Sequence, residues 1–195
     1  MSNTIARPAP PWQVEQWFNT DQPLSLETLR GKVVVLEAFQ MLCPGCVSHG
    51  LPQAARVRDT FAAEQVAVIG LHTVFEHHAA MTPTSLEAFL YEYRITFPVG
   101  VDKAGGDANP GIDIPQTMQA YAMPGTPTLT LIDAQGRIRH QYFGQVSDLI
   151  LGAEIATLVN EAEMLHEIAK VQQKGKPASP GCDSDACTIP SAANT

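Results

Sequence analysis

Cys43, Pro44, Gly45 and Cys46 follow directly on the apolar run Val33-Val34-Val35-Leu36 and precede a segment that reads as a helix. Two cysteines separated by two residues, where a buried strand hands over to a helix, make a redox site. At that junction the first thiol lies over the helix's unpaired N–H groups and positive dipole end, which favour an anionic sulfur. Activation then needs no metal. The second thiol, one helical turn on, can attack a mixed disulfide formed on the first and release a reduced product. Cys43 is read as the nucleophile and Cys46 as the resolving thiol. The pair also reads as half of a zinc knuckle completed by Cys182 and Cys187, although knuckles place such pairs on turns. A purely structural disulfide would close too short a loop to restrict the unfolded chain much.

The rest of the chain alternates strand and helix. A strand is expected over 33–39, then an active-site helix from Cys46 to about Ala63, interrupted near Gly50 and Pro52. A strand over 66–71 precedes a His-rich loop, and Ser85 is the expected cap of a helix over 86–93. A short strand over 97–101, a loop over 102–114 and a short helix over 116–122 follow. Strands over 128–132 and 138–143 flank Asp133-Ala134-Gln135-Gly136, a hairpin signal, and a last helix runs over about 148–171. Before all of these lies an N-terminal segment with Trp12, Trp17 and Phe18.

With 195 residues, the chain fits one α/β domain able to bury about 70% of its unfolded surface, without help from disulfides. Aromatic residues are only 7% of it, so aliphatic side chains must fill most of the core. The formal net charge of -8 and the lack of any Lys/Arg run argue against nucleic acid or an anionic membrane surface as partner. No apolar stretch approaches the roughly 18 residues that a membrane crossing needs.

Three further groups of residues make the pair recognisable. Glu37 precedes Cys43 on the same strand, Arg30-Gly31-Lys32 leads into that strand, and Met123-Pro124-Gly125-Thr126-Pro127-Thr128 precedes the apolar run 129–132. Over about residues 10–170 the chain resembles the thioredoxin-like superfamily. Within it, the TlpA-like branch is most similar, a branch grouped with the alkyl hydroperoxide reductase and thiol-specific antioxidant proteins. The resemblance implies an α/β thioredoxin-like fold, with a central mixed sheet flanked by helices, an N-terminal extension and a flexible C-terminal tail. It implies that Glu37 is the buried acid that takes a proton from Cys46 and returns it, a role suited to a carboxyl group with a raised pKa. The plain alternative is a solvent-facing strand residue. Pro127 matches the family's cis-proline, which would turn the Thr126 backbone toward an extended substrate; the alternative is an ordinary trans turn proline. Leu42 and Pro44, beside the nucleophile, complete the expected substrate-binding surface.

Departures from the family pattern bear on function. Leu42 stands where many members have tryptophan, which removes a stacking surface. Gln40 stands where peroxiredoxins of the wider group carry a peroxide-polarising threonine, so peroxide reduction becomes the lesser reading. The helix proline falls one residue later than usual, at Pro52, which suggests a shifted kink.

His72, Glu76, His77 and His78 form a second constellation. Their spacing matches no established metal-ligand set, so no metal is assigned. Loops after the C-terminal ends of parallel strands gather on one edge, so His77 and His78 are expected to line the entrance to Cys43, with His72 as a strand-end core residue. A solvated polar loop is the alternative.

The composition becomes linker-like beyond Lys170, which divides the chain into a 1–171 domain and a 172–195 tail carrying Cys182 and Cys187. About twelve flexible residues span roughly 20 Å, so a redox relay between the tail pair and Cys43 is within reach; a passive disulfide or a metal chelator are the alternatives. Met1 to Arg7 lack the basic start and apolar core of a secretory signal, whereas most TlpA-like proteins are exported, so a cytoplasmic setting is expected. The resulting expectation is a thiol-disulfide oxidoreductase that needs no cofactor, takes a disulfide-containing protein or small molecule as substrate, and is recharged by an external dithiol. The other readings are a thiol-dependent peroxidase and a zinc-binding interaction module.

Overall fold

The apolar run after Lys32 forms β3 (Val33–Phe39), buried at every position, at the centre of a seven-stranded sheet. A strand apolar on both faces must be covered on both, and the chain supplies a layer of helices for each. The computed structural model describes residues 6–105, 113–174, 182–183 and 186–187. On one side of β3 lie β4 (Val66–His72) and then β5 (Val99–Asp102), both parallel to their inner neighbours. On the other lie β6 (Thr128–Ile132) and β7 (Arg137–Phe143), which are antiparallel. The fold is thioredoxin-like, a mixed sheet between helices.

Side-chain alternation sorts the core into two halves. Val33, Val35 and Phe39 pack with Leu51, Ala54 and Val57 of α1 (Leu51–Thr60), Leu86 and Leu90 of α2 (Pro83–Glu92), and Leu151, Ile155 and Leu158 of α4 (Asp148–Lys174). Val34, Leu36 and Ala38 face Met118 of α3 (Gln116–Ala120), Tyr121, Leu26 and Leu29. Tyr121, fully buried, accepts from the indole N–H of Trp12 at 3.0 Å and donates to the carbonyl of Pro10 at 2.9 Å.

The N-terminal segment is part of the sheet, not only an extension of it. β1 (Arg7–Pro8) pairs with β7 and β2 (Val14–Phe18) with β5, so one short stretch closes both edges. The prolines between these strands hide the strand signal, yet edges are where proline is tolerated.

Other differences are local. The N-cap of α2 is Thr82, whose hydroxyl accepts from the backbone N–H of Ser85 at 3.2 Å; Pro83 opens the helix three residues ahead of the expected start. The active-site helix ends at Thr60. In the β6–β7 hairpin, Gly136 has φ 73° and the Asp133 carboxylate accepts from the backbone N–H groups of Gln135 and Arg137.

The chain divides into two compact units, Met1–Ala162 and Glu163–Thr195, with the division inside α4. In the second unit, β8 (Cys182–Asp183) and β9 (Ala186–Cys187) pair antiparallel, with Cys182 opposite Cys187. The side chains of these two cysteines lie outside the described residues, as does most of the tail expected to be flexible.

Candidate active site

Cys43 sits where β3 gives way to helix, immediately before Pro44 at the first helical position. Its carbonyl accepts from the N–H of Val47 at 3.1 Å, and its Sγ accepts from the N–H of Cys46 at 3.4 Å. A side chain accepting from the third residue of a helix is the pattern of an N-cap, here with sulfur in the place of oxygen. Sγ also lies 3.4 Å from the carbonyl oxygen of Thr126. Cys43 is half-buried and Cys46 buried; both are free thiols. Burial pushes the Cys46 thiol well above its ordinary value of 9.0, and its interaction with Cys43 adds to this, while the Gln40 backbone and the Thr126 side chain oppose it.

Thr126 and Pro127 are joined by a cis peptide bond. The loop is braced from below, since the Pro127 carbonyl accepts from the N–H of Gly144 at 2.8 Å and the Thr128 hydroxyl donates to the Gly125 carbonyl at 2.7 Å. Gly45 backs onto the Pro127 ring, where a Cβ would stand 3.2 Å from Cδ. The N–H of Thr126 has no partner among the described residues. Leu42, 56% exposed, and exposed Pro44 flank Cys43.

Glu37 follows the alternation of Val33, Val35 and Phe39, which aims its side chain at the face covered by the active-site helix. It is 1% exposed, and its Oε1 has no hydrogen-bond partner. Its strand partner is Gly70, over which the Phe39 and Phe97 rings close. Desolvation pushes the Glu37 carboxyl from an ordinary 4.5 up to about 8.

Residues 46–50 form a single π-helical turn (Cys46–Gly50), with the N–H of Leu51 bonded to the carbonyl of Cys46, five residues back. The expected interruption near Gly50 and Pro52 is therefore a one-residue expansion within a continuous helix. It accounts for the late proline.

The His constellation does not assemble. His72 ends β4, 1% exposed, beside the Phe39 ring at a centroid distance of 5.3 Å, and burial lowers its pKa from 6.5 to about 4. His77 and His78 are exposed on the following loop. Gln40, which the sequence marks only as a missing threonine, ties that loop to the Cys43 turn. Its Oε1 accepts from the N–H of Phe75 at 3.3 Å, its Nε2 donates to Glu76 at 3.5 Å, and its carbonyl accepts from the N–H of Cys43 at 3.2 Å. No group of three or more His, Cys, Asp or Glu side chains suited to a metal occurs among the described residues.

Residues 5–141 match the AhpC/TSA family. This chain belongs to that family. A thioredoxin-like superfamily protein of known structure is 61% identical to this AhpC/TSA member, with a TM-score of 0.74 over 79% of this chain and 97% of that one. A thiol-disulfide isomerase from Corynebacterium glutamicum is 50% identical, with a TM-score of 0.71 over 77% of this chain and 96% of that one. Among curated proteins, DipZ of Mycobacterium tuberculosis is 27% identical over 149 residues, 75% of this chain and 20% of its own length. The thiol:disulfide interchange protein DsbE of Allochromatium vinosum is 25% identical over 158 residues, 81% of this chain and 77% of its own. The chain thus spans about a fifth of the first of these curated relatives. Within the AhpC/TSA family, Gln40 distinguishes this site from one built around a threonine hydroxyl, because its amide is already engaged with Phe75 and Glu76.

Proposed function

We propose that this chain is a thiol-disulfide oxidoreductase working as a disulfide reductase. The observation that carries the reading is the placement of the half-exposed Cys43 Sγ between the N–H of Cys46 and the Thr126 backbone of the cis-proline loop. Thiol-disulfide isomerase and interchange proteins among the similar proteins support the same chemistry.

The Cys43 thiolate attacks one sulfur of a substrate disulfide, forming a Cys43–substrate disulfide and expelling the other sulfur as a thiolate, which takes a proton from solvent. The extended substrate pairs with the free N–H of Thr126, Leu42 and Pro44 offer apolar contact, and the exposed His77 and His78 are assigned to the entrance by their place on the loop after β4. Cys46 then gives its proton to the Glu37 carboxylate, directly or through one water, and attacks the Cys43 sulfur. The second substrate thiol leaves, and a Cys43–Cys46 disulfide remains. An external dithiol reduces that disulfide and is itself oxidised, so two electrons pass from donor to substrate. With its carboxyl pushed up to about 8, only about a tenth of Glu37 is carboxylate and free to accept at pH 7, so this step should quicken as pH rises toward 8. The cytoplasmic setting belongs to the same proposal, since a reducing compartment keeps the pair as thiols.

Trapping tests it. Cys46→Ser leaves the mixed disulfide unresolved, so protein partners recovered from cell extract should be bonded through Cys43 and released by dithiothreitol. Partners bonded through neither cysteine of the pair would overturn the reading.

A further inference from the structure

We infer that Gly50, at the end of the π-helical turn, is the positioning residue that seats the Glu37 carboxyl beneath the active-site helix. This rests on the reading of Glu37 as acceptor of the Cys46 proton. Gly50 is buried and faces the sheet. A Cβ there would fall inside van der Waals distance of Glu37 Oε1, 3.2 Å from Glu37 Cδ and 3.1 Å from Pro127 Cβ. Pro127 cannot yield, because its ring is rigid and its carbonyl is held by Gly144. The carboxyl has no hydrogen bond at Oε1 to hold it in place. Shape must therefore hold it, and the wall it rests against is the bare Cα of Gly50.

The turn and the glycine act together. The widened turn starts at Cys46, the proton donor, and ends at Gly50, the residue over the acceptor. One expanded turn thus spans the donor and acceptor ends of the transfer, and any side chain at position 50 would push the carboxyl off its seat. Proton transfer needs heavy atoms within hydrogen-bond reach or one water apart, so a displacement of about 1 Å is costly.

The test uses 5,5′-dithiobis(2-nitrobenzoate) on the reduced full-length chain carrying Cys182→Ser/Cys187→Ser, which releases one coloured thiolate when Cys43 attacks and a second when Cys46 resolves. Gly50→Ala should slow the second phase at pH 7 by at least about tenfold and move its pH midpoint, with the first phase within about twofold of wild type. Glu37→Asp draws the carboxyl back by one methylene, so Gly50→Ala/Glu37→Asp should resolve faster than Gly50→Ala alone and recover its pH midpoint. If Gly50→Ala does not fold, the double variant must restore both folding and the second phase; a double variant as unfolded as the single contradicts the inference. If Gly50→Ala slows resolution by the same factor in a Glu37→Gln background, or leaves the pH midpoint unmoved, Gly50 does not act through Glu37, and the proton-acceptor reading survives without it. A wild-type second phase in Glu37→Gln overturns the reading and the inference together.

Discussion

The backbone N–H of Cys46 donates to the Sγ of Cys43 across 3.4 Å, so the residue proposed to resolve also supports the proposed nucleophile. The same residue keeps its own sulfur buried and protonated. The two thiols therefore differ in access and in backbone support, which suits ordered attack and resolution.

Alkylation should read out this asymmetry. Iodoacetamide at pH 7 is expected to modify Cys43 before Cys46 by on the order of a hundredfold, as scored by peptide mass mapping of the reduced chain. Comparable rates at the two positions would contradict the assigned roles.

Two of the buried groups should give stability opposite slopes against pH. Glu37 stays neutral in the fold up to about 8 but ionises above 4.5 once unfolded, so its contribution is complete below 4.5 and is lost as pH rises to about 8. His72 stays neutral in the fold down to about 4 but protonates below 6.5 once unfolded, so its contribution is present above 6.5 and lost as pH falls to about 4. Between 4.5 and 6.5 the slopes oppose each other. From 6.5 to 8 only the Glu37 loss remains, on the order of 2 kcal/mol. Urea midpoints should fall over that interval in wild type and stay level in Glu37→Gln.

Much of this was legible in the sequence because a strand of period two and a helix of period 3.6 leave few choices. Val33, Val35 and Phe39 dictate which way Glu37 points, and Cys43-Pro44 marks a helix start. The edge strands were not legible, since Pro8, Pro10 and Pro11 read as loop and the pairing of Arg7–Pro8 and Val14–Phe18 is decided by distant β7 and β5. Gly50 carried a signal, a glycine two residues before a displaced proline, but its consequence depends on Glu37 and Pro127 approaching from other strands. Gln40 shows the same limit. As a residue type it signifies an absent hydroxyl, and only the tertiary path of residues 75–76 gives its amide a task.

The tail offers a separate expectation. Cys182 and Cys187 stand directly opposite on β8 and β9, and antiparallel partners have Cα separations that a disulfide can bridge. In Cys43→Ser/Cys46→Ser, mild oxidation should yield a peptide carrying a Cys182–Cys187 bond within one chain. Tail thiols found only in bonds between chains would exclude the pairing.

Reduction of insulin by the full chain with a dithiol donor, wild type against Cys43→Ser, tests the central claim most directly. The account predicts steady turnover in wild type and, in the variant, no rate above that of the donor alone. Equal rates in the two proteins would contradict Cys43 as the nucleophile.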